Sequence, residues 1–97
     1  MNDRAKRQSI ITACLRMNEL GINQGTSGNI SLRHENGMLI TPTSTPYESM
    51  TPDQIVFMDM NGSHAPGQKP SSEWRFHLDI LRSRNDVHAV VHAHPAY

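Results

Sequence analysis

The sequence predicts an α/β fold, a mixed or mostly antiparallel sheet with flanking helices. Three observations carry that reading. Residues 3–20 space their apolar groups at helical period, and so does the segment from Ser71 to Arg84. Residues 30–41 and 55–60 read as short strands, and Asn-Gly pairs at 36–37 and 61–62 supply turn chemistry beside them. The predicted order is helix, three strands, helix, strand.

The first helix places Ile10, Ile11, Cys14, Leu15 and Leu20 on one expected face, and Gly21 is a natural stop after it. Ile30 and Leu32 then alternate with polar neighbours, Asn36-Gly37 turns the chain, and residues 38–41 return as a second strand. Residues 51–54, Thr-Pro-Asp-Gln, predict a short helical turn. Thr51 caps it, Pro52 takes the first helical position, and Gln54 completes a capping box. Residues 55–60 form the third strand, and a loop follows. Ser71 or Ser72 caps the second helix, which carries Trp74, His77, Leu78 and Leu81 on one face. Asn85-Asp86 ends it, and residues 87–94 form the fourth strand.

A chain of 97 residues is at the low end for one domain, and 36% apolar residues with five aromatics permit a modest core. Nine basic residues balance nine acidic ones. The local cluster of Arg4, Lys6 and Arg7 reads as a solvated helix face, so no nucleic-acid partner is expected. With one cysteine, Cys14, no intrachain disulfide can form, and its position on the helical pattern reads as a small buried hydrophobe. The sequence shows neither a secretory h-region nor a membrane-length apolar run, so the expected location is cytoplasmic, without a membrane partner.

The chemistry gathers around "VVHAH", residues 90–94. Side chains two apart on a strand share a face, with Cα atoms roughly 6 to 7 Å apart. His92 and His94 could therefore converge on one ion, although a His-x-His pair is by itself a weak signal. His88 lies too far along the strand to join them and reads as structural. Glu73, expected in the first turn of the second helix, is the natural third ligand. It is also what a helix start favours electrostatically. Three protein ligands with a fourth position open suit a catalytic zinc site.

Three further segments offer small hydroxyls and backbone N–H groups: "GTSGN" at 25–29, "TPTS" at 41–44 and "PSS" at 70–72. None fits a dinucleotide fingerprint or a P-loop. Each alone reads as a turn or a cap. Together, beside a candidate metal site, they suggest a phosphorylated substrate.

The segments "NQGTSGNIS", "LITPTSTPYESM", "IVFMD", "KPSSEWRFH" and "AVVHAH" resemble, in order and spacing, the class II aldolase/adducin family. The resemblance implies that residues 1–97 are the N-terminal portion of a single longer domain of that type. Family members continue to a third histidine ligand and an acidic tyrosine beyond Tyr97, so the chain is expected to be truncated and inactive alone. His92 and His94 would bind zinc, and Glu73 would be both a zinc ligand and the catalytic acid/base. Gly28, Asn29, Thr43, Ser44, Ser71 and Ser72 would surround the substrate phosphate. The implied reaction is retro-aldol cleavage of a ketose 1-phosphate, such as L-fuculose 1-phosphate, to dihydroxyacetone phosphate and an aldehyde. The implied whole protein is a homotetramer acting in carbohydrate metabolism.

Two positions depart from the aldolase pattern: Ser44 replaces a glycine and Ser27 an alanine. If position 44 needs a positive φ, its serine is strained; otherwise it adds a hydroxyl donor. Sugar-phosphate 4-epimerases and dehydratases of the same family remain alternatives, as does a non-catalytic adducin-like scaffold. The epimerases carry aspartate where this chain has Glu73, and the scaffolds lack the metal-binding residues.

Overall fold

A computed structural model describes residues 3–94. Helix α1 (Arg4–Glu19) leads into β1 (Asn29–His34) and β2 (Gly37–Ile40). Two single-turn 3-10 helices, Tyr47–Ser49 and Pro52–Gln54, precede β3 (Val56–Asp59). Helix α2 (Trp74–Ser83) and β4 (Ala89–His92) complete the described chain. The strands form one sheet in the order β3-β2-β1-β4. Every pairing is antiparallel, so the expected mixed or antiparallel sheet is the second of these.

The sheet is a middle layer with a helix on each face. Ile10, Ile11, Cys14 and Met17 of α1 pack against Ile30, Leu39 and Ile55. Leu78 and Leu81 of α2 pack against Met38, Ile40, Val56 and Met58 on the other side. Strand side chains alternate between faces, so an interior strand covered on both sides has no polar side to show. Accordingly all four residues of β2 are buried. Cys14 is buried as expected, and burial pushes its thiol up to about 12.

Several boundaries differ from the expectation. Leu15 and Leu20 are exposed, at 38% and 56%, and Met17 takes their place in the core. Ile10, Cys14 and Met17 follow one stripe of the helix, and Leu15 stands roughly 130° of rotation away from its centre. Leu20 lies past the last helical turn. The first hairpin turns at Glu35-Asn36, with Glu35 at φ 51, rather than at Asn36-Gly37. Gly37 is needed for a different reason: a Cβ there would stand 2.1 Å from the Met58 carbonyl oxygen of the neighbouring strand. The capping box at Thr51 and Gln54 forms as expected.

Strand β4 is shorter than residues 87–94. Its last pairing is His92 with Asn29, the first residue of β1, so His94 lies beyond the ladder. Glu73 is the cap residue of α2 and not a member of its first turn. The Ser71 hydroxyl accepts the Glu73 backbone N–H at 3.2 Å in a local turn just ahead of the helix, so neither Ser71 nor Ser72 is the expected cap residue. No helix among the described residues is long and apolar enough to cross a membrane.

Candidate metal centre and anion cleft

The pairing of β1 with β4 sets the site. It places Asn29 opposite His92, while the start of α2 brings Glu73 over the same sheet end. His94 has left the strand but is held by backbone contacts. Its carbonyl accepts the Gln24 N–H at 3.0 Å, and its N–H donates to Asn23 Oδ1 at 2.8 Å. Asn23, buried and also donating to Asn18, is a residue the sequence reading missed. Its place in "NQGTSGN" was the available signal.

Glu73, His92 and His94 converge as the sequence anticipated. One ligand atom from each lies within 4.8 Å of the others, a cluster that could hold a metal ion. Glu73 Oε1 is 2.8 Å from His92 Nδ1 and 3.8 Å from His94 Nε2. Donor atoms about 2.1 Å from a tetrahedral zinc lie roughly 3.4 Å apart, so these separations bracket the required one. His92 Nδ1 is buried and has no hydrogen-bond partner, although the carboxylate lies close by. An orphaned imidazole nitrogen beside a carboxylate oxygen is satisfied by a shared cation. The residues fit the ion. His88 stands exposed outside the cluster, its carbonyl accepting the Arg33 N–H.

Asn29 supplies the electrostatic balance. Its side-chain amide donates to Glu73 Oε1 at 2.6 Å. That bond holds the Glu73 carboxyl below the usual carboxylate range, with smaller help from the two imidazoles and against the opposing effect of burial. An ionised carboxylate is the form that binds a cation or accepts a proton. Asn29, expected among the phosphate contacts, lines the cleft beside the triad and spends one of its two amide N–H groups on Glu73.

Beside the triad opens a cleft of about 370 Å³. The three hydroxyl-rich segments, distant in sequence, all reach it: Ser27, Gly28 and Asn29; Thr43 and Ser44; Ser71 and Ser72. Glu73 and His94 form its boundary with the metal cluster. Two main-chain bonds draw the second and third of these together. Thr43 N–H donates to the Lys69 carbonyl at 2.9 Å, and Ser71 N–H to the Thr41 carbonyl at 2.9 Å. Ser44 takes φ 50, so the strained alternative for that position is the one observed.

A family model described as Class II Aldolase and Adducin N-terminal domain matches residues 8–97. The chain belongs to this family. L-fuculose phosphate aldolase of Escherichia coli K12 is 56% identical to this class II aldolase-family chain over 90 residues, which are 93% of it and 42% of the relative. A 5-methylthioribulose-1-phosphate/5-deoxyribulose-1-phosphate aldolase of Escherichia coli O45:K1 is 51% identical over 87 residues, 90% of this chain and 41% of the relative. A solved structure of an L-fuculose 1-phosphate aldolase superposes with a TM-score of 0.88 at 34% identity, covering 100% of this chain and 46% of that one. The chain thus spans less than half the length of these relatives.

Proposed function

We propose that this chain carries the metal and phosphate subsites of a zinc-dependent aldehyde-lyase that cleaves a ketose 1-phosphate. The carrying observation is the Glu73, His92 and His94 cluster opening directly onto the hydroxyl-lined cleft. The cleft would take the phosphate through the hydroxyls of Thr43, Ser44, Ser71 and Ser72 and the backbone of Gly28 and Asn29. That grip holds the sugar in register and contributes mainly orientation. Zinc, when bound by Glu73, His92 and His94, would supply Lewis acidity toward the substrate oxygens.

Glu73 carries the proton at the carbon that becomes the nucleophile in the aldol direction. The Asn29 amide keeps its carboxyl ionised and fixes one oxygen, leaving the other to meet the substrate. L-Fuculose 1-phosphate is the first substrate to try, because the relative 56% identical to the chain is named for it. The 51% relative makes a 5-substituted ribulose 1-phosphate the second. The presence of both histidines and the glutamate speaks against a scaffold without chemistry. Activity, a tetrameric assembly and a cytoplasmic setting belong in this proposal to a protein of the relatives' full length. These residues alone are expected to cleave nothing at a useful rate.

Equilibrium dialysis against zinc tests the centre. Wild-type chain should retain the ion, and His92→Ala and His94→Ala should each lose it. Equal zinc content in all three would refute the ligand assignment.

A further inference from the structure

The metal cluster and cleft leave a buried histidine without a task, His77 of α2. It is 0% exposed, and both ring nitrogens have partners. Nδ1 is 2.7 Å from the Ser31 hydroxyl of β1, itself wholly buried, and Nε2 is hydrogen-bonded to Asn29 Oδ1. Asn29 in turn donates to Glu73 Oε1. A continuous chain of side chains therefore runs from the core to the carboxylate: Ser31, His77, Asn29, Glu73.

The direction of every hydrogen in it follows from what each group can do. An ionised carboxylate only accepts, so Asn29 must present its NH2 to Glu73. Its carbonyl oxygen then faces His77 and needs a donor, so the proton of the neutral ring sits on Nε2. The bare Nδ1 must accept, and the Ser31 hydroxyl supplies the proton. Burial independently favours the neutral ring, holding the imidazole down to about 4. Reversing any one link would set two acceptors or two donors face to face in the interior, where an unmade hydrogen bond is costly.

We infer that Ser31 and His77 are positioning residues: they lock the side-chain amide of Asn29 in the one orientation that donates to Glu73. Without these partners the asparagine would be held toward the carboxylate by that one bond alone, and a turn that brought its carbonyl there would be repulsive. The inference deepens the proposed reading of the site, since it assigns how the Glu73 carboxylate is aimed at the ion. It rests on that reading only for what the carboxylate then does.

The test uses the whole chain, with zinc alone as the probe, and four variants. Nitrogen-15 NMR of the metal-free wild type should show His77 as the neutral Nε2–H tautomer at pH 7. A change of Glu73→Gln should shift the Asn29 side-chain amide signals. Ser31→Ala and His77→Leu should each weaken zinc binding, by about ten- to a hundred-fold for His77→Leu, the range seen when a partner that orients a metal ligand is lost. His77→Gln, which keeps a donor for Asn29, should recover most of the affinity. Ser31→Ala removes a single hydroxyl and carries the test if His77→Leu does not fold. An Nδ1–H tautomer or an imidazolium at pH 7 would overturn the inference. So would folded Ser31→Ala and His77→Leu chains that bind zinc as tightly as wild type. If the wild type takes up no zinc but shows the Nε2–H tautomer and the Asn29 shift, the orienting chain stands and the metal reading alone fails.

Discussion

Asn23 Oδ1 accepts the backbone N–H of His94 at 2.8 Å, joining residues 71 apart in sequence. The same oxygen lies where a Cβ on Gly28 would fall, at 2.4 Å, and the His92 carbonyl oxygen would be 2.9 Å from that carbon. The absence of a side chain at position 28 thus lets the loop before β1 rest directly against the segment that carries both histidines. Tyr47 closes the arrangement from below, its buried hydroxyl donating to the Gly28 carbonyl at 2.7 Å. The Glu73, His92 and His94 cluster and the hydroxyl-lined cleft share one wall.

Gly28→Ala should therefore disturb both. The asparagine can shift, but the His92 carbonyl is main chain in a paired strand and cannot yield cheaply. A loss of about 1–3 kcal/mol is expected, the range for forcing extra volume into a packed site. Urea unfolding measures it, and weaker zinc retention should accompany the loss. A variant as stable as wild type would show that the wall is softer than its contacts suggest.

Glu73→Gln separates the glutamate's two proposed tasks. The assay requires a protein of the relatives' length, obtained by exchanging the matching segment of the Escherichia coli K12 relative for this chain. At saturating zinc, turnover should fall by about 10²- to 10⁴-fold, because an amide cannot accept the proton. The Michaelis constant should change little, since the phosphate contacts remain. Near-normal turnover would reduce Glu73 to a carboxylate at a helix start.

Ser44→Gly should stabilise the chain. A side chain in the left-handed region costs about 1–2 kcal/mol, against about 0.5–1 kcal/mol that glycine loses through its greater freedom when unfolded. Ser44 also gives up a weak contact with the Thr43 hydroxyl at 3.5 Å. A net gain of about 0.5–1 kcal/mol is expected by chemical unfolding. Glu35→Gly, at φ 51 in the first hairpin and away from the cleft, should give a gain of similar sign. If only the Glu35 change stabilises, the Ser44 hydroxyl contributes more than its one visible contact.

Acid should weaken the fold through His77. Unfolded, its imidazole titrates near 6.5, whereas folded it is held down to about 4 by burial, helped by the His92 charge and opposed by Glu73. Between these values the unfolded chain binds the extra proton, so this stability is complete above pH 6.5 and falls as pH drops toward 4. The total at stake is about 3 kcal/mol. Glu73, with its carboxyl held low, adds loss in the same direction at the acid end of the range. Unfolding midpoints measured across pH 7 to 4 should show the slope in wild type and a flatter line in His77→Gln. Parallel curves would place the titration elsewhere.

The residue types and spacings of this sequence marked its helices and strands and singled out Glu73, His92 and His94, which the fold brings together. Helical period marked Ile10, Cys14, Leu78 and Leu81. Strand alternation marked Ile30. His-x-His with a glutamate at a helix start marked the cluster, because these are patterns that neighbours in sequence impose on each other. Tertiary structure alone decided what depends on partners distant in the chain. It chose Met17 over Leu15 for the core, because a helix buries whichever stripe the sheet meets. It ended β4 at His92, because a strand extends only as far as its partner does. It brought the Asn29 amide to Glu73, and it threaded His77 between Asn29 and Ser31. A buried polar group is satisfied by whichever donor or acceptor the packed fold brings within about 3 Å, and no spacing along the chain records that meeting.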